Sequence, residues 1–502
     1  MRDILGYIDT RITQLDRHPL FAWLDDDRTP LKDRLLILPS IATVAIGFRD
    51  VNKWVLRYPK AATDLERGIN IHTFEDQTHS RLFMEDWRRL GLDVSLGWQA
   101  SDTLWWLFLA EPNEVNRRHG SYFLALPAAD GDDPLLRFAQ AEVAERCARD
   151  LFFKHASRVA GQLADETGVQ CLYLGQHHID AEGEGAEGLF ETQVLDGPRR
   201  ERAQQLVDAM FTVFTEIFDS MLTYAQAFVA TGDRPRRPAI SPVPAAVAGG
   251  TATEVERSLG LLDGPVHPTQ QELAALLRER VEGSGRHPFG TWMNHRGPRM
   301  SAEQALSRFF PMWAVDVVGA HDLTHYVLRY REPCDGDQLA LNAWASALAA
   351  RSEAYLADWR TLKLDEQLGW AASETFEFCY LDRLMDVFRH NRVRLIELGS
   401  AHTEPVVRMW LLAALDAAAA AFSAATTAAA AEAEQALDGR LDYLTGRYRP
   451  RPQADLARLA EQPMTPDQRA AASQIIDMVF DAFDEQLDLS LDVALSDYLE
   501  LR

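Results

Sequence analysis

The chain has 502 residues, 47% of them hydrophobic and 25% charged, which is the composition of a globular protein long enough for two domains. Its formal charge of -24 argues against nucleic acid and anionic membrane surfaces as partners, since phosphates would be repelled. Four scattered cysteines with no CxxC pair fit reduced thiols in a cytoplasmic setting rather than a disulfide framework.

The first residues, Met1-Arg-Asp-Ile-Leu-Gly-Tyr-Ile-Asp9, are charged throughout and predict no signal peptide. Helical patterns then alternate with His18-Pro-Leu-Phe21 and Asp25-Asp-Asp-Arg-Thr-Pro30, and a long helical period runs from Leu31 to Tyr58. At its end Arg49, Asp50, Asn52 and Lys53 form a polar patch with the residue types to line a pocket. Next comes Asn70-Ile-His-Thr-Phe-Glu-Asp-Gln-Thr-His79, where His72, Glu75 and His79 are spaced to share one helical face that continues through Leu82, Phe83 and Asp86. Acid and imidazole turned inward need a partner, and a transition metal is an efficient one. The bland alternative is a surface helix with two ordinary histidines.

Further along, Trp105, Trp106 and Phe108 read as core packing, and Asp130-Gly-Asp-Asp133 as a solvated loop. Glu142 and Glu145 lie on a mid-chain helix, with His155 beyond them. Tyr173-Leu-Gly-Gln-His-His-Ile-Asp-Ala-Glu182 places His178 and Glu182 four residues apart on one face, with Asp180 and Glu184 available to orient a ligand. Thr231 to Gly250, rich in Pro, Ala and Gly, reads as a linker. Met409 to Ala431 has the length of a membrane span, but its alanines and Asp416 predict a packed helix of a soluble protein.

The second half repeats the first. Pro39 and Pro311, Tyr58 and Tyr330, Asp86 and Asp358, and Trp98 and Trp370 are each 272 residues apart, and chance does not hold one offset through so many landmarks. His18 and His287 both precede proline, which predicts a turn or cap common to both copies. The expected organisation is residues 1–230 as one all-α domain, 231–250 as a linker and 251–502 as a second all-α domain.

This repeat serves as an internal control. At the positions of His72, Glu75 and His79 the second copy has Trp344, Ala347 and Arg351. Near Glu142 and Glu145 it has Ala413 and Asp416, and His155 aligns with Thr426. The polar patch keeps its acid as Asp322 but becomes His321, Thr324 and His325 elsewhere. Packing landmarks persist while nearly all metal-capable residues vanish, as expected if those residues serve one chemical site in the first copy. Carboxylates and imidazoles projecting into a helical bundle suit one or two irons. Zinc hydrolysis would call for HExxH or cysteine ligands, and phosphate chemistry for a glycine-rich loop; neither motif is present.

On Glu75 and His79, Glu142, and His178-x-x-x-Glu182, the first copy resembles the heme-oxygenase-like non-heme diiron oxidases and oxygenases, over roughly residues 15–228. The second copy resembles them in fold only. In that family a late helix carries His-x-x-x-Asp/Glu-x-x-His; here the third position is Gly185, leaving one or two irons open, with Glu184, His155 or His72 as substitute ligands. The resemblance implies two tandem helical bundles packed as a pseudo-dimer, with the second a degenerate copy. It implies Fe(II) held by Glu75, His79, Glu142, His178 and Glu182, with His72, Glu145, His155 and Glu184 as further donors. Dioxygen, a small organic substrate and a reductant would be the partners, with N-oxygenation, C–C cleavage and desaturation as known reaction types. Fusion of a homodimer's protomers would give this arrangement, and a homodimer of the whole chain is compatible with it. The rival reading is a non-catalytic protein of the same fold that binds a small ligand.

Overall fold

The structure is a computed structural model that describes residues 1–130, 132–181, 187–238, 264–296, 300–448 and 456–496. Residues 239–250 of the expected linker lie outside the described residues, as do Glu182, Glu184 and Gly185, and so does the side chain of Glu75. Every regular element among the described residues is helical, so the chain is all-α.

The elements start and stop for local reasons. His18 and His287 each cap a short helix that begins with the following proline, their Nδ1 atoms accepting from the N–H groups of Leu20 and Phe289. Asp133 and Asp196 cap the Pro134–Arg146 and Gly197–Tyr224 helices in the same way. Gly97 and Gly369 close equivalent short helices at φ 62° and 63°, a left-handed conformation that a side chain would disfavour.

Internal hydrogen bonds recur at equivalent places in the two halves of the chain. The Tyr58 N–H donates to Asn70 Oδ1 and Asn70 Nδ2 donates back to the Tyr58 carbonyl, both at 2.8 Å. Tyr330 and Asn342 repeat the exchange at 2.7 and 2.8 Å. Buried Asp86 accepts from the N–H of Leu174 at 2.8 Å, and buried Asp358 from that of Leu444 at 2.9 Å.

Two compact units result, and they do not follow chain order. The first comprises Met1–Trp98, Leu109–Arg237 and Ala371–Leu381; the second comprises Gln99–Phe108, Pro238–Trp370 and Asp382–Arg502. Each unit therefore contains one short segment from the other half of the chain, and the two exchanged segments are equivalent at the same offset. In the first unit Asp93 accepts from the Ser373 N–H at 3.0 Å and from its hydroxyl at 2.6 Å, while also receiving Trp87 Nε1 at 2.8 Å. In the second unit Asp365 accepts from the Ser101 N–H and from Trp359 Nε1, both at 2.9 Å, and from the Ser101 hydroxyl. A carboxylate at the first turn of a helix satisfies N–H groups that lack a partner within the helix. Trp106 and Phe108, expected as core residues, are fully buried within the second unit.

Among the described residues, two helical stretches are long and apolar enough to cross a membrane, Leu31–Val55 and Pro405–Leu437. The most apolar windows of these stretches are 72% and 94% buried within the protein. Buried helices of this kind need no lipid to cover their apolar faces.

Candidate metal centre and its apolar cavity

The first unit contains a cavity of about 110 Å3. A single water needs roughly 10–15 Å3 on this measure, so the space suits a small organic molecule. Most of the wall is aliphatic or aromatic, including Ile41, Val44, Phe48, Phe214 and Phe218. His72, Asp76, His79, Glu145 and His178 supply its imidazole and carboxylate side chains.

Four helical segments bring these groups together. His72 and Asp76 stand one turn apart near the end of the Asp64–Asp76 helix, His72 Nε2 lying 3.3 Å from Asp76 Oδ2. His79 opens the next helix, His79–Arg89, with Nδ1 3.9 Å from Asp76 Oδ1. The sequence expectation of one continuous helical face from His72 through Asp86 is corrected here, because the chain breaks at Gln77 and Thr78. The turn tightens there, the Arg81 N–H donating to the Thr78 carbonyl three residues back at 3.0 Å. Asp86 accordingly faces backbone N–H groups of the 172–174 segment rather than the histidines. In the second unit the equivalent stretch is one unbroken helix, Gly336–Thr361. The interruption is thus particular to the half that carries the cluster.

Glu145 reaches the cavity from the Pro134–Arg146 helix, just before a π-helical turn at Cys147–Phe153 that also presents Phe152 and Phe153. Single donor atoms of His72, Asp76 and Glu145 all lie within 4.8 Å of one another. Ligand atoms around one cation with bonds near 2.1 Å are about 3 Å apart, so modest side-chain rotation would close this set. Arg149 Nη1 lies 3.4 Å from Glu145 Oε1 and steadies the carboxylate.

His178 is the best-defined donor. Its ring is buried, in contact with Phe153 and Tyr173 at centroid distances of 4.1 and 5.0 Å. Its Nδ1 lies 2.8 Å from the Tyr173 carbonyl, and a carbonyl only accepts, so Nδ1 carries the proton. The Nε2 lone pair is then turned toward the cavity, 3.1 Å from Nδ1 of His79. Burial holds His178 down to about 4 and His79 to about 3, the latter helped by the neighbouring His178 and His72. Both rings are neutral at physiological pH, the form that binds a metal ion.

The sequence-derived donors therefore separate. His72, His79, Glu145 and His178 line the cavity. Glu142 is buried on the same helix as Glu145 but lies 3.6 Å from Arg146 Nη1 and is not part of the wall. His155 stacks on Phe21 at 4.8 Å and meets Asp25 and Asp16 at 2.9 and 3.4 Å, away from the cavity. His177 and Asp180 are exposed. Asp76 is the residue that sequence reasoning missed. It stands four residues after His72, and its second-copy equivalent is Leu348, so the comparison that flagged its neighbours would also have flagged it.

In the second unit the equivalents of His72 and His79 are Trp344 and Arg351, both buried. Burial raises the Asp316 carboxyl, and the Arg351 charge opposes that shift. Trp313, where the first unit has Ile41, donates from Nε1 to the Ser490 hydroxyl at 2.9 Å.

Comparison with protein-family models and with curated proteins gave no match to the chain. The class is therefore defined by fold and site: an all-helical protein with imidazoles and carboxylates gathered at an apolar cavity. Such a donor set, without thiolates, suits iron, manganese or zinc.

Proposed function

We propose that the chain is a non-heme iron oxidase or oxygenase of the heme-oxygenase-like class, acting on a small organic molecule. In this reading the two halves are a tandem duplication forming a pseudo-dimer, the first unit holds one or two Fe(II) ions, and the second is a copy that has lost its ligands. Support comes above all from His178, whose Nδ1 is committed to the Tyr173 carbonyl while Nε2 faces His79 inside the cavity. His72, Asp76, His79, Glu145 and His178 would hold the metal. Iron(II) there would supply the capacity to bind and reduce dioxygen and so to oxidise the substrate.

The protein's own groups do the rest. Two carboxylates neutralise a divalent charge in a poorly solvated site. Phe152, Phe153 and Phe218 exclude water and give an organic substrate its surface. Net negative charge and reduced thiols suit a cytoplasmic enzyme supplied by a separate reductant, and Cys147, Cys171 and Cys379 are buried. A second reading, a metal-free protein that binds a small ligand, draws on the same apolar wall.

Reaction with dioxygen tests the proposal. Protein loaded anaerobically with Fe(II) and mixed with oxygenated buffer should consume dioxygen and give an optical transient, and His79→Ala/His178→Ala should abolish both. Dioxygen uptake that is absent, or equal in wild type and variant, would remove the oxygenase reading in favour of the binding protein.

A further inference from the structure

Of the polar patch Arg49, Asp50, Asn52 and Lys53, only Asn52 lines the cavity. Arg49 donates instead to the Tyr380 carbonyl within the same unit, and Lys53 lies 4.5 Å from the centre of the Trp54 ring. Asn52 is 0% exposed, and neither its Nδ2 nor its Oδ1 has a hydrogen-bond partner among the described residues. A buried carboxamide missing all of its hydrogen bonds destabilises a fold, and native structures keep few of them without a reason.

The second unit shows what a merely structural residue does at this place. Both positions fall in an equivalent π-helical turn, Val51–Val55 and Leu323–Val327. The second-unit residue is Thr324, whose hydroxyl donates back to the Ala320 carbonyl at 2.8 Å and so satisfies itself. The turn belongs to both halves, whereas the unsatisfied amide belongs only to the half with the cavity.

We propose that Asn52 is the specificity-determining residue of the cavity. It takes a neutral, largely hydrocarbon or aromatic molecule through one group that both donates and accepts, such as a carboxamide. The amide nitrogen would donate to the ligand's oxygen and the amide oxygen would accept from its N–H, leaving the rest of the molecule against Ile41, Phe48 and Phe214. Among the described residues no Lys or Arg lines this cavity, so a phosphate or a free carboxylate would find no cationic side chain there. This deepens the proposed function and rests on it for the cavity's role as substrate chamber. Its test uses metal-free protein, so that failure here and failure of the iron assignment remain distinct.

The probes are phenylacetamide, phenylacetate and toluene, titrated into EDTA-treated full-length wild type, Asn52→Thr and Asn52→Leu. Phenylacetamide should bind wild type about tenfold more tightly than phenylacetate, and Asn52→Thr should weaken it about tenfold while toluene changes by less than about twofold, the scale of one or two neutral hydrogen bonds. The ligand-free Tm should rise in both variants, because an unpaired buried amide has been removed. Asn52→Leu gives the same readings without the new hydroxyl, should the threonine variant fold poorly. Failure of phenylacetamide to bind, equal binding to wild type and variants, preference for phenylacetate, or a lowered Tm in both variants would overturn the proposal.

Discussion

Burial sets the protonation of single residues around the cavity, and it does so in opposite directions for acids and imidazoles. Asp86 is buried away from water, which pushes its carboxyl up to about 6 although backbone N–H groups of the 172–174 segment oppose the shift. A folded-state value above the unfolded value of 3.8 means that the folded protein binds the extra proton, so this group makes stability fall as pH rises from about 4 to about 6. At the usual conversion the difference is roughly 3 kcal/mol. Asp86→Asn should therefore gain on wild type by up to that amount between pH 4 and pH 6.5, in paired denaturant titrations. His79 and His178 act the other way in the metal-free protein. Their folded values lie below 6.5, so the stability they confer is present above that pH and is lost as pH falls toward about 4. His79→Ala/His178→Ala should flatten the acid side of the same curve; an unchanged slope in either variant would refute the assignment of these shifts. At this scale the sequence exposed much of the site. Residue type and spacing picked out His72, His79, Glu145 and His178, and loss of the imidazoles from the second copy marked the three histidines as a set. Asp76 escaped because the stretch was taken as one continuous helix, with Glu75 on the face of His72 and His79.

The helix break at Gln77 and Thr78 is an element-scale feature with no local signal, since neither proline nor glycine stands there. Tertiary context decides it, because the corresponding second-copy stretch runs unbroken for 26 residues. Exchange of short helices between the halves was equally hidden. Periodicity reports that Ala100–Phe108 is an apolar helix, but not which core it enters. In the first unit the incoming segment is held by Asp93, by a 4.9 Å edge-on contact between Trp87 and Phe376, and by an ion pair from Arg88 to Glu377 at 2.6 Å. Removing a carboxylate that accepts several hydrogen bonds leaves a tryptophan N–H and a helix terminus without partners. Asp93→Ala and Asp365→Ala should each destabilise the protein by roughly 2–4 kcal/mol. The larger loss is expected at Asp365, the more buried of the two. Denaturation midpoints within error of wild type would show that the exchanged helices dock by other means.

Across the whole molecule, hydrogen bonds shared by the two halves sit beside a division of labour. Asn70 and Asn342, His18 and His287, and Asp86 and Asp358 perform the same task in both units, which identifies them as parts of the scaffold. Most donors at the cavity have no such counterparts: Trp344, Leu348 and Arg351 stand where His72, Asp76 and His79 stand in the first unit, while Asp416 keeps a carboxylate near the place of Glu145. The repeat itself was plain in the sequence, because landmarks held at one offset from Pro39 to Trp98 need no structural knowledge. Which chain segments make up each compact unit was not, since that depends on contacts far apart in the chain. The proposed function requires that the first unit alone hold metal. Iron retained per chain after anaerobic Fe(II) loading and desalting measures this directly, in wild type, Asp76→Ala/His178→Ala and Glu142→Ala. The account predicts about one or two irons per chain in wild type and in Glu142→Ala, and none in Asp76→Ala/His178→Ala. Wild type that keeps no iron, or a double variant that keeps as much as wild type, would contradict it.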